Sequence, residues 1–321
     1  CHDVWLGNLY LAEHGDLPSE YRSLPRAVRN IYGPLMTDEF GIGNIFSDEQ
    51  RRRCGVLLVR EVIEASEGFL VSSRAAADLA RADIPGRYAE RVGILPFALE
   101  APPSASGPPA GARGGPGQPG GPPARGGQAG ILAELGAAPL VAHFGIVDPA
   151  KQPFLLIDAF ARVRREVPAA RLAFVGPCAE SLAEDLRSRA GEHELGDSFL
   201  LTGEVPAAVY RALVERATVA VQLRSRFNGE ASAAAGQCLA CGVATIVSDL
   251  GWMGELPDQA VVKVPGDVSP DVLGRHILDL LADPERRATL SGGARQLAAR
   301  QGFDVAARAL LEAIEELRGA A

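Results

Sequence analysis

The sequence predicts an α/β protein: a doubly wound parallel sheet in the C-terminal part, preceded by a partial α/β domain. Over residues 138–320, apolar runs of strand length alternate with segments of helical periodicity. Strands that alternate with helices are typical of parallel sheets with right-handed crossovers. Residues 101–130, more than half of which are Gly or Pro, separate this part from the residues before it. Such a composition buries too little apolar surface to offset the entropy of ordering.

Six short apolar runs predict the strands of the C-terminal domain. Helical periodicity between them is clearest over 153–167, where Phe154, Ile157, Phe160 and Val163 recur on one face. Three further helices are predicted near the C-terminus. The predicted strands are 140–147, 171–176, 199–203, 219–223, 245–248 and 261–264, and the last helices are 270–282, 284–300 and 303–318.

The N-terminal part predicts only a portion of a sheet. A helical region ends near residue 68, residues 69–73 predict a buried strand, and residues 93–97 predict a second one. A complete doubly wound sheet has about six strands. We therefore expect three regions: a partial Rossmann-like domain over 1–100, a disordered linker or insertion over 101–137, and a complete domain over 138–321. The chain begins at a cysteine that leads directly into His2, so we expect an N-terminally truncated protein.

Composition excludes several classes of function. The net charge of −8 argues against bulk binding of nucleic acid, and the sequence contains no apolar run long enough for a transmembrane helix. The five cysteines are scattered and odd in number, which favours a cytoplasmic location over a disulfide framework. Cys238 and Cys241 have the spacing of a redox or zinc pair, but they come late in a predicted helix without a second pair. We interpret them as packing residues.

Five segments that follow predicted strands are expected at the edge where ligands bind in open α/β sheets. Two of them carry cations, Lys151 in one and Arg224 and Arg226 in the other. The second also carries Glu230, among small residues that leave the start of a helix accessible to an anion. A ligand with phosphate and polyol groups suits this layout. The segments are 145–151, 176–178, 203–205, 224–230 and 249–255.

The stretch FNGEASAAAGQCLACGVATIVSDLGWMGELPD, residues 227–258, resembles family 4 glycosyltransferases. These are retaining enzymes of the GT-B fold, and the closing Gly-x-x-x-Glu-Leu-Pro-Asp turn resembles an actinobacterial biosynthetic subgroup. The family pattern has two glutamates separated by seven residues. Here the second falls on Gln237 and the first on Gly229, with Glu230 one place later. A neutral amide still bonds a sugar hydroxyl, but without the strength that a charge adds.

The resemblance also implies a set of site residues. Gly145 and Lys151 match the positions that hold the donor diphosphate, while Ile146 stands where the family often has an arginine. Arg224, in preference to Arg226, is expected to replace that cation. The segment HDVWLGNLY at the start of the chain is similar to the family's His-Asp loop, in which a histidine touches the transferred sugar. The implied catalytic residues are His2 and Glu230, and the implied donor-binding residues are Gly145, Lys151, Arg224, Gly229, Glu230 and Gln237.

The implied reaction moves a sugar from a nucleoside-diphosphate sugar to an acceptor hydroxyl, with retention of configuration. No cofactor and no metal are expected beyond the nucleotide sugar itself. The acceptor class stays open between a small molecule, a glycan and a lipid-linked sugar, and so does peripheral membrane contact. The main alternative is a catalytically silent, nucleotide- or sugar-binding scaffold, which Gln237 and Ile146 favour. An epimerase of similar fold is less favoured, because the dense set of acid–base residues it needs is not evident.

Overall fold

The computed structural model describes residues 59–102, 130–131 and 135–319. The described chain divides into two compact units. Of the described residues, the first contains 59–97, the short segment Phe227–Ala231 and the C-terminal segment 306–319. The second contains Ala98–Arg226 and Ser232–Val305. None of the helices within the described ranges is both long and apolar enough to cross a bilayer.

In the first unit, two short parallel strands pack against two helices. Phe69 lies opposite Val92 in the strand pair, and Ile63 packs beside them in a buried cluster that Phe227 also contacts. The second strand lies close to the predicted position, but it begins one residue earlier and ends at Ile94. In chain order the elements are α1 (Arg60–Ala65), β1 (Phe69–Val71), α2 (Arg74–Asp83), a 3₁₀ turn (Gly86–Arg91) and β2 (Val92–Ile94).

Two adjacent serines before α2 have different environments and yield a matched prediction. Ser73 is the N-cap, with its Oγ accepting a hydrogen bond from the Ala76 N–H at 3.1 Å, whereas the buried Ser72 Oγ has no hydrogen-bond partner among the described residues. Ser73→Ala is expected to lower the free energy of unfolding by about 1 kcal/mol, the usual cost of losing a cap. Ser72→Ala removes an unsatisfied polar group and should not be destabilising. Urea denaturation of the full chain measures both changes, and equal losses would contradict this assignment.

The second unit is a six-stranded sheet in which every strand pairing is parallel. Each of the six predicted strands is present, and they end up to three residues short of the predicted ends. The elements are β3 (Leu140–Phe144), α3 (Pro153–Glu166), β4 (Arg171–Val175), α4 (Glu180–Glu192), β5 (Phe199–Leu201), α5 (Ala207–Arg216), β6 (Val219–Gln222), α6 (Ala233–Cys241), β7 (Thr245–Ser248), α7 (Gly251–Gly254), β8 (Val261–Val264), α8 (Pro270–Ala282) and α9 (Pro284–Arg300), followed by α10 (Phe303–Gly319), which continues into the first unit.

The strand order of the large sheet is β5-β4-β3-β6-β7-β8. The order reverses between β3 and β6, which makes the carboxyl ends of these two strands the place where ligands bind in such sheets. Helices cover both faces. Phe160 of α3 and Ile277 of α8 belong to the core on one face, and Leu213 of α5 and Cys238 of α6 belong to the core on the other. The sheet is therefore buried on both sides, as its continuous apolar strands predict.

The packed core of the second unit starts before the predicted domain boundary at residue 138. Ile131 and Leu135 are helical, buried and part of the core beneath α5. At the other end of the predicted linker, Leu99 is buried and its N–H donates to the Gln301 carbonyl at 2.7 Å. The structure thus differs from the linker predicted over 101–137 at residues 131 and 135, whose apolar side chains provide packing that the Gly/Pro run lacks.

The cysteine pair lies in the last two turns of α6. Cys238 is fully buried, and the half-buried Cys241 packs against the same core. Burial raises the pKa of both thiols, which disfavours the reactive thiolate. The packing interpretation is consistent with these positions.

Candidate functional site

The turn after β3 is built around a close approach of two glycines. Gly145 has φ +85° and donates its N–H to the Val175 carbonyl at 2.9 Å. Gly176, with φ +145°, lies so near that an added Cβ would stand 2.3 Å from the Gly145 oxygen. Only glycine satisfies both the backbone conformation and the contact. The two glycines thus bring backbone without side chains together at the carboxyl edge of the sheet, and Gly145 lies six residues before Lys151.

Lys151 lies over this turn. Its Nζ is 3.6 Å from the position that a Cβ on Gly145 would take, and it donates to the Ile146 carbonyl. Desolvation by burial lowers the pKa of Lys151 to about 8, with the nearby Arg224 charge adding to the effect and Asp148 opposing it. The ammonium is therefore held near a second cation, partly out of water. An arrangement that disfavours the charged lysine is one that an anion would stabilise.

His143, the fourth residue of β3, lies beneath the same turn. It is 2% exposed, its Nδ1 is 3.2 Å from the Val221 carbonyl, and its Nε2 is buried with no partner in the described chain. Burial lowers the pKa of His143 to about 3, and the charges of Lys151 and Arg224 act in the same direction. This histidine is neutral at ordinary pH, so it adds no third positive charge to the site.

Arg224 follows β6 and is fixed through its backbone. Its N–H donates to the buried Ser248 Oγ at 2.8 Å. The next residue, Ser225, donates its N–H to the Ala150 carbonyl at 2.8 Å, with its hydroxyl 3.2 Å from the same oxygen. The segments that carry Lys151 and Arg224 are thus bonded to each other one residue away from each cation. Arg226 is partly buried and ends this stretch of the second unit.

The start of α6 adjoins the same turn. The Cβ of Ala234 lies 3.3 Å from the position that a Cβ on Gly145 would take. Ser232 caps the helix by accepting the Ala235 N–H at 3.3 Å. Gln237 is partly buried and follows Ala234 at a spacing of three residues, which places both on one side of the helix. The helix dipole therefore adds a partial positive charge near Gly145.

Gly229 and Glu230 belong to the first unit. Gly229 is buried with φ +98°, and Glu230 is partly buried. One Glu230 carboxylate oxygen accepts the Asn228 N–H at 2.7 Å, so this side chain helps to shape its own turn. Glu230 lies two residues before the N-cap of α6 rather than inside the helix.

The Asp249–Glu255 turn after β7 is anchored to the neighbouring strand. The Asp249 N–H donates to the Val264 carbonyl at the end of β8, at 2.7 Å.

Of the residues predicted for the site, the structure brings Gly145, Lys151 and Arg224 together at one edge of the second unit. Gly229 and Glu230 are described with the first unit, and His2 lies outside the described residues. The predicted site residues did not include His143, Ser248 or Gln152, and the Nε2 of Gln152 donates to the Gly266 carbonyl at 2.8 Å. His143 could have been selected from the sequence, because it is a polar residue within an otherwise apolar predicted strand.

Comparisons with known proteins agree with this architecture. A D-inositol 3-phosphate glycosyltransferase of Segniliparus rotundus is 30% identical over 207 residues, which cover 61% of this chain and 45% of that protein. The chain thus spans about half the length of this relative. Sucrose-phosphate synthase of Thermosynechococcus elongatus superposes with a TM-score of 0.64 at 18% identity, over 89% of this chain and 66% of that one. Anabaena HepE, solved in complex with UDP and glucose, superposes with a TM-score of 0.65 at 16% identity, over 85% of this chain and 70% of that one.

These superpositions and the parallel sheet define a protein of the GT-B fold class. The sequence profile described as glycosyl transferases group 1 matches residues 132–297, just over half of the chain. The chain belongs to this family.

Proposed function

We propose that the second unit binds the diphosphate of a nucleoside-diphosphate sugar, and that the protein transfers the sugar to an acceptor hydroxyl. The observation that carries the proposal is the cation pair Lys151 and Arg224 at the strand ends around Gly145, in a chain of this family. We further propose that the protein is cytoplasmic and of the actinobacterial biosynthetic type that its Gly251–Asp258 turn resembles.

The electrostatics support a diphosphate as the ligand. Arg224 is close enough to Lys151 for its charge to lower the pKa of the lysine, so the two cations repel each other. A diphosphate placed between them replaces this repulsion by two attractions. Arginine offers a planar fork of donors to phosphate oxygens, and lysine a compact charge.

The proposed reaction proceeds with retention and uses neither a protein nucleophile nor a metal ion. The bond between the sugar C1 and the diphosphate oxygen breaks, and a bond forms between C1 and the acceptor oxygen on the same face. The acceptor proton leaves with the departing diphosphate. Lys151 and Arg224 stabilise the negative charge that develops on the leaving group, which is the main contribution such a site makes. Glu230 and His2 orient the sugar in this proposal, as the family resemblance implies.

A second candidate is a scaffold that binds the nucleotide or the sugar without catalysis. Two observations favour it. Gln237 stands where the family has a glutamate, and Ile146, where an arginine is frequent, is 55% exposed at the turn. Both changes remove charge from the site. Binding and turnover have to be measured separately to distinguish this candidate from the enzyme.

Calorimetry of the full chain with UDP, GDP and TDP tests the binding step, in the presence and in the absence of EDTA. We expect micromolar to millimolar binding of at least one nucleotide, unaffected by EDTA. UDP comes first because the HepE structure contains it. Turnover is then assayed with nucleotide sugars and an acceptor panel that includes D-inositol 3-phosphate, named for the Segniliparus relative. A folded sample that binds none of the three nucleotides would refute the proposal, whereas binding without turnover favours the scaffold.

A further inference from the structure

Gln152 has a backbone conformation that is rare for its residue type. Its φ of 54° and ψ of 47° are left-handed, and in the described chain only Glu194 shares a positive φ without being glycine. Such a conformation is unfavourable for a residue with a side chain, and it persists where the surroundings impose it. Gln152 directly follows Lys151 and directly precedes Pro153, so the conformation lies at the junction between the cation and α3.

The side chain of Gln152 is not used where its position would normally place it. Gln152 is the N-cap of α3, yet within the described residues its side chain caps none of the free N–H groups of that helix. Its Nε2 instead donates to the Gly266 carbonyl at 2.8 Å, across 114 positions of sequence. Its Oε1 is buried and has no partner in the part of the chain that the structure describes. Gln152 therefore ties the Lys151 segment to the loop after β8.

This tie completes a set of bonds between the strand-end loops. The Ala150 carbonyl, on the other side of Lys151, accepts from Ser225. Lys151 is thus flanked by two residues that are each bonded to a different loop, one after β6 and one after β8. The lysine side chain is long and flexible, so a fixed backbone reduces the range of positions that its ammonium can reach. The two flanking bonds restrict where the ammonium can lie.

We infer that Gln152 is a positioning residue, which holds Lys151 over the Gly145 turn through its left-handed backbone and its bond to Gly266. This inference rests on the proposed function, because the benefit of a fixed Lys151 is the binding of a diphosphate. Gln152 itself is proposed to contact neither the nucleotide nor the sugar. It acts by keeping the ammonium in the partly desolvated place that lowers its pKa.

Two variants remove the side-chain bond to Gly266 with different effects on the backbone. Gln152→Met keeps the size of the side chain but cannot donate to Gly266, whereas Gln152→Gly also relieves the left-handed backbone. Both are expected to bind UDP about tenfold more weakly, the effect of losing one well-placed hydrogen bond. Between pH 7.5 and 10, where the terminal phosphate is already ionised, the midpoint at which affinity falls should shift to higher pH, because a less confined Lys151 is better solvated.

Glu194→Gly is the matched control. It relieves the same backbone conformation, with φ 55°, in the turn between α4 and β5, before a strand rather than after one. Its UDP affinity and pH midpoint should equal those of the unchanged protein. Thermal melting is recorded for all variants, and Gln152→Gly is expected to melt close to the unchanged protein because relief of strain offsets the lost bond.

The outcomes discriminate between the two proposals. If the unchanged protein binds UDP, and both Gln152 variants bind it equally well with the same pH midpoint, the positioning role is wrong and the proposed function stands. A Gln152 variant that melts earlier but keeps its affinity and midpoint would show a purely structural role, which also overturns the inference. If the unchanged protein binds no nucleotide, the proposed function fails and the inference fails with it.

Discussion

Replacing Lys151 by methionine is expected to weaken binding of a nucleoside diphosphate about a hundredfold, because a bond between charged groups contributes about 1.5–3 kcal/mol. The same change should stabilise the folded protein. The pKa of Lys151 is lowered from 10.5 to about 8, and a shift of this size costs folding up to about 3 kcal/mol while the lysine is charged. Few substitutions are expected to raise stability and strongly weaken binding together, so the pair of effects identifies a residue kept for a ligand.

The gain in stability should depend on pH in a defined direction. Between about pH 8 and 10.5 the unfolded chain binds more protons at this lysine than the folded chain does, so the stability of the unchanged protein rises with pH through this window. The advantage of Lys151→Met is therefore full below pH 8 and disappears as pH rises through 10.5. Urea denaturation at pH 7 and at pH 10.5, with calorimetry at pH 7, measures these effects.

The chain offers a single matched control, because Lys151 and Lys263 are its only lysines. Lys263 pairs with the exposed Asp258 at 2.9 Å, and an exposed pair of this kind contributes about 0–1 kcal/mol. Lys263→Met should leave UDP affinity unchanged. A Lys151→Met protein that is less stable than the unchanged one and still binds UDP would show that this lysine is structural.

Having only two lysines also permits a direct measurement of the Lys151 pKa. Reductive methylation with ¹³C-formaldehyde labels both lysines and the terminal amine, and the signal that disappears in Lys151→Met is the Lys151 signal. We expect its chemical shift to titrate near pH 8 and to move to higher pH when UDP is added, since a diphosphate favours the charged form.

The strands were predictable because buried strands have apolar sequences, which are visible in local composition. The central strands of the large sheet are covered on both faces, so β3 and β4 read as largely apolar runs, with His143 as the polar exception inside β3. The segments that follow them then had to meet at one edge. Lys151 and Arg224 were selected from their positions after strands together with the family resemblance, and the structure does bring them together.

What the sequence could not show depends on contacts between distant segments. The bond from Gln152 to Gly266 spans 114 positions, and no local pattern indicates that a residue before a proline takes a left-handed backbone; that position normally favours an extended one. The end of the linker was misplaced for the opposite reason. The Gly/Pro run is a strong local signal for a linker, and the predicted linker was therefore extended over Ile131 and Leu135. The burial of these two residues depends on contacts with α5 and the sheet.

Arg224→Ala is expected to weaken UDP binding about thirtyfold, within the range for losing a charged contact. It should also raise the pKa of Lys151, because the Arg224 charge is the second cause of its depression after burial. The ¹³C-methyl titration of Lys151 in the Arg224→Ala protein measures this shift. Arg226→Ala is the matched control two residues away, and we expect a smaller loss of affinity and no change in the Lys151 titration.

A double-mutant cycle tests whether the two cations act on one ligand group. In the unchanged protein, a bound diphosphate gains contacts with both and also relieves their mutual repulsion. Each single substitution removes one contact with the diphosphate and also the repulsion that binding would relieve. The double substitution removes both contacts, but the relief of repulsion can be lost only once. The combined loss of affinity should therefore be smaller than the product of the single losses, with a coupling of about 0.5–3 kcal/mol that is typical of neighbouring groups. Strictly multiplicative losses would mean that Lys151 and Arg224 do not share a diphosphate.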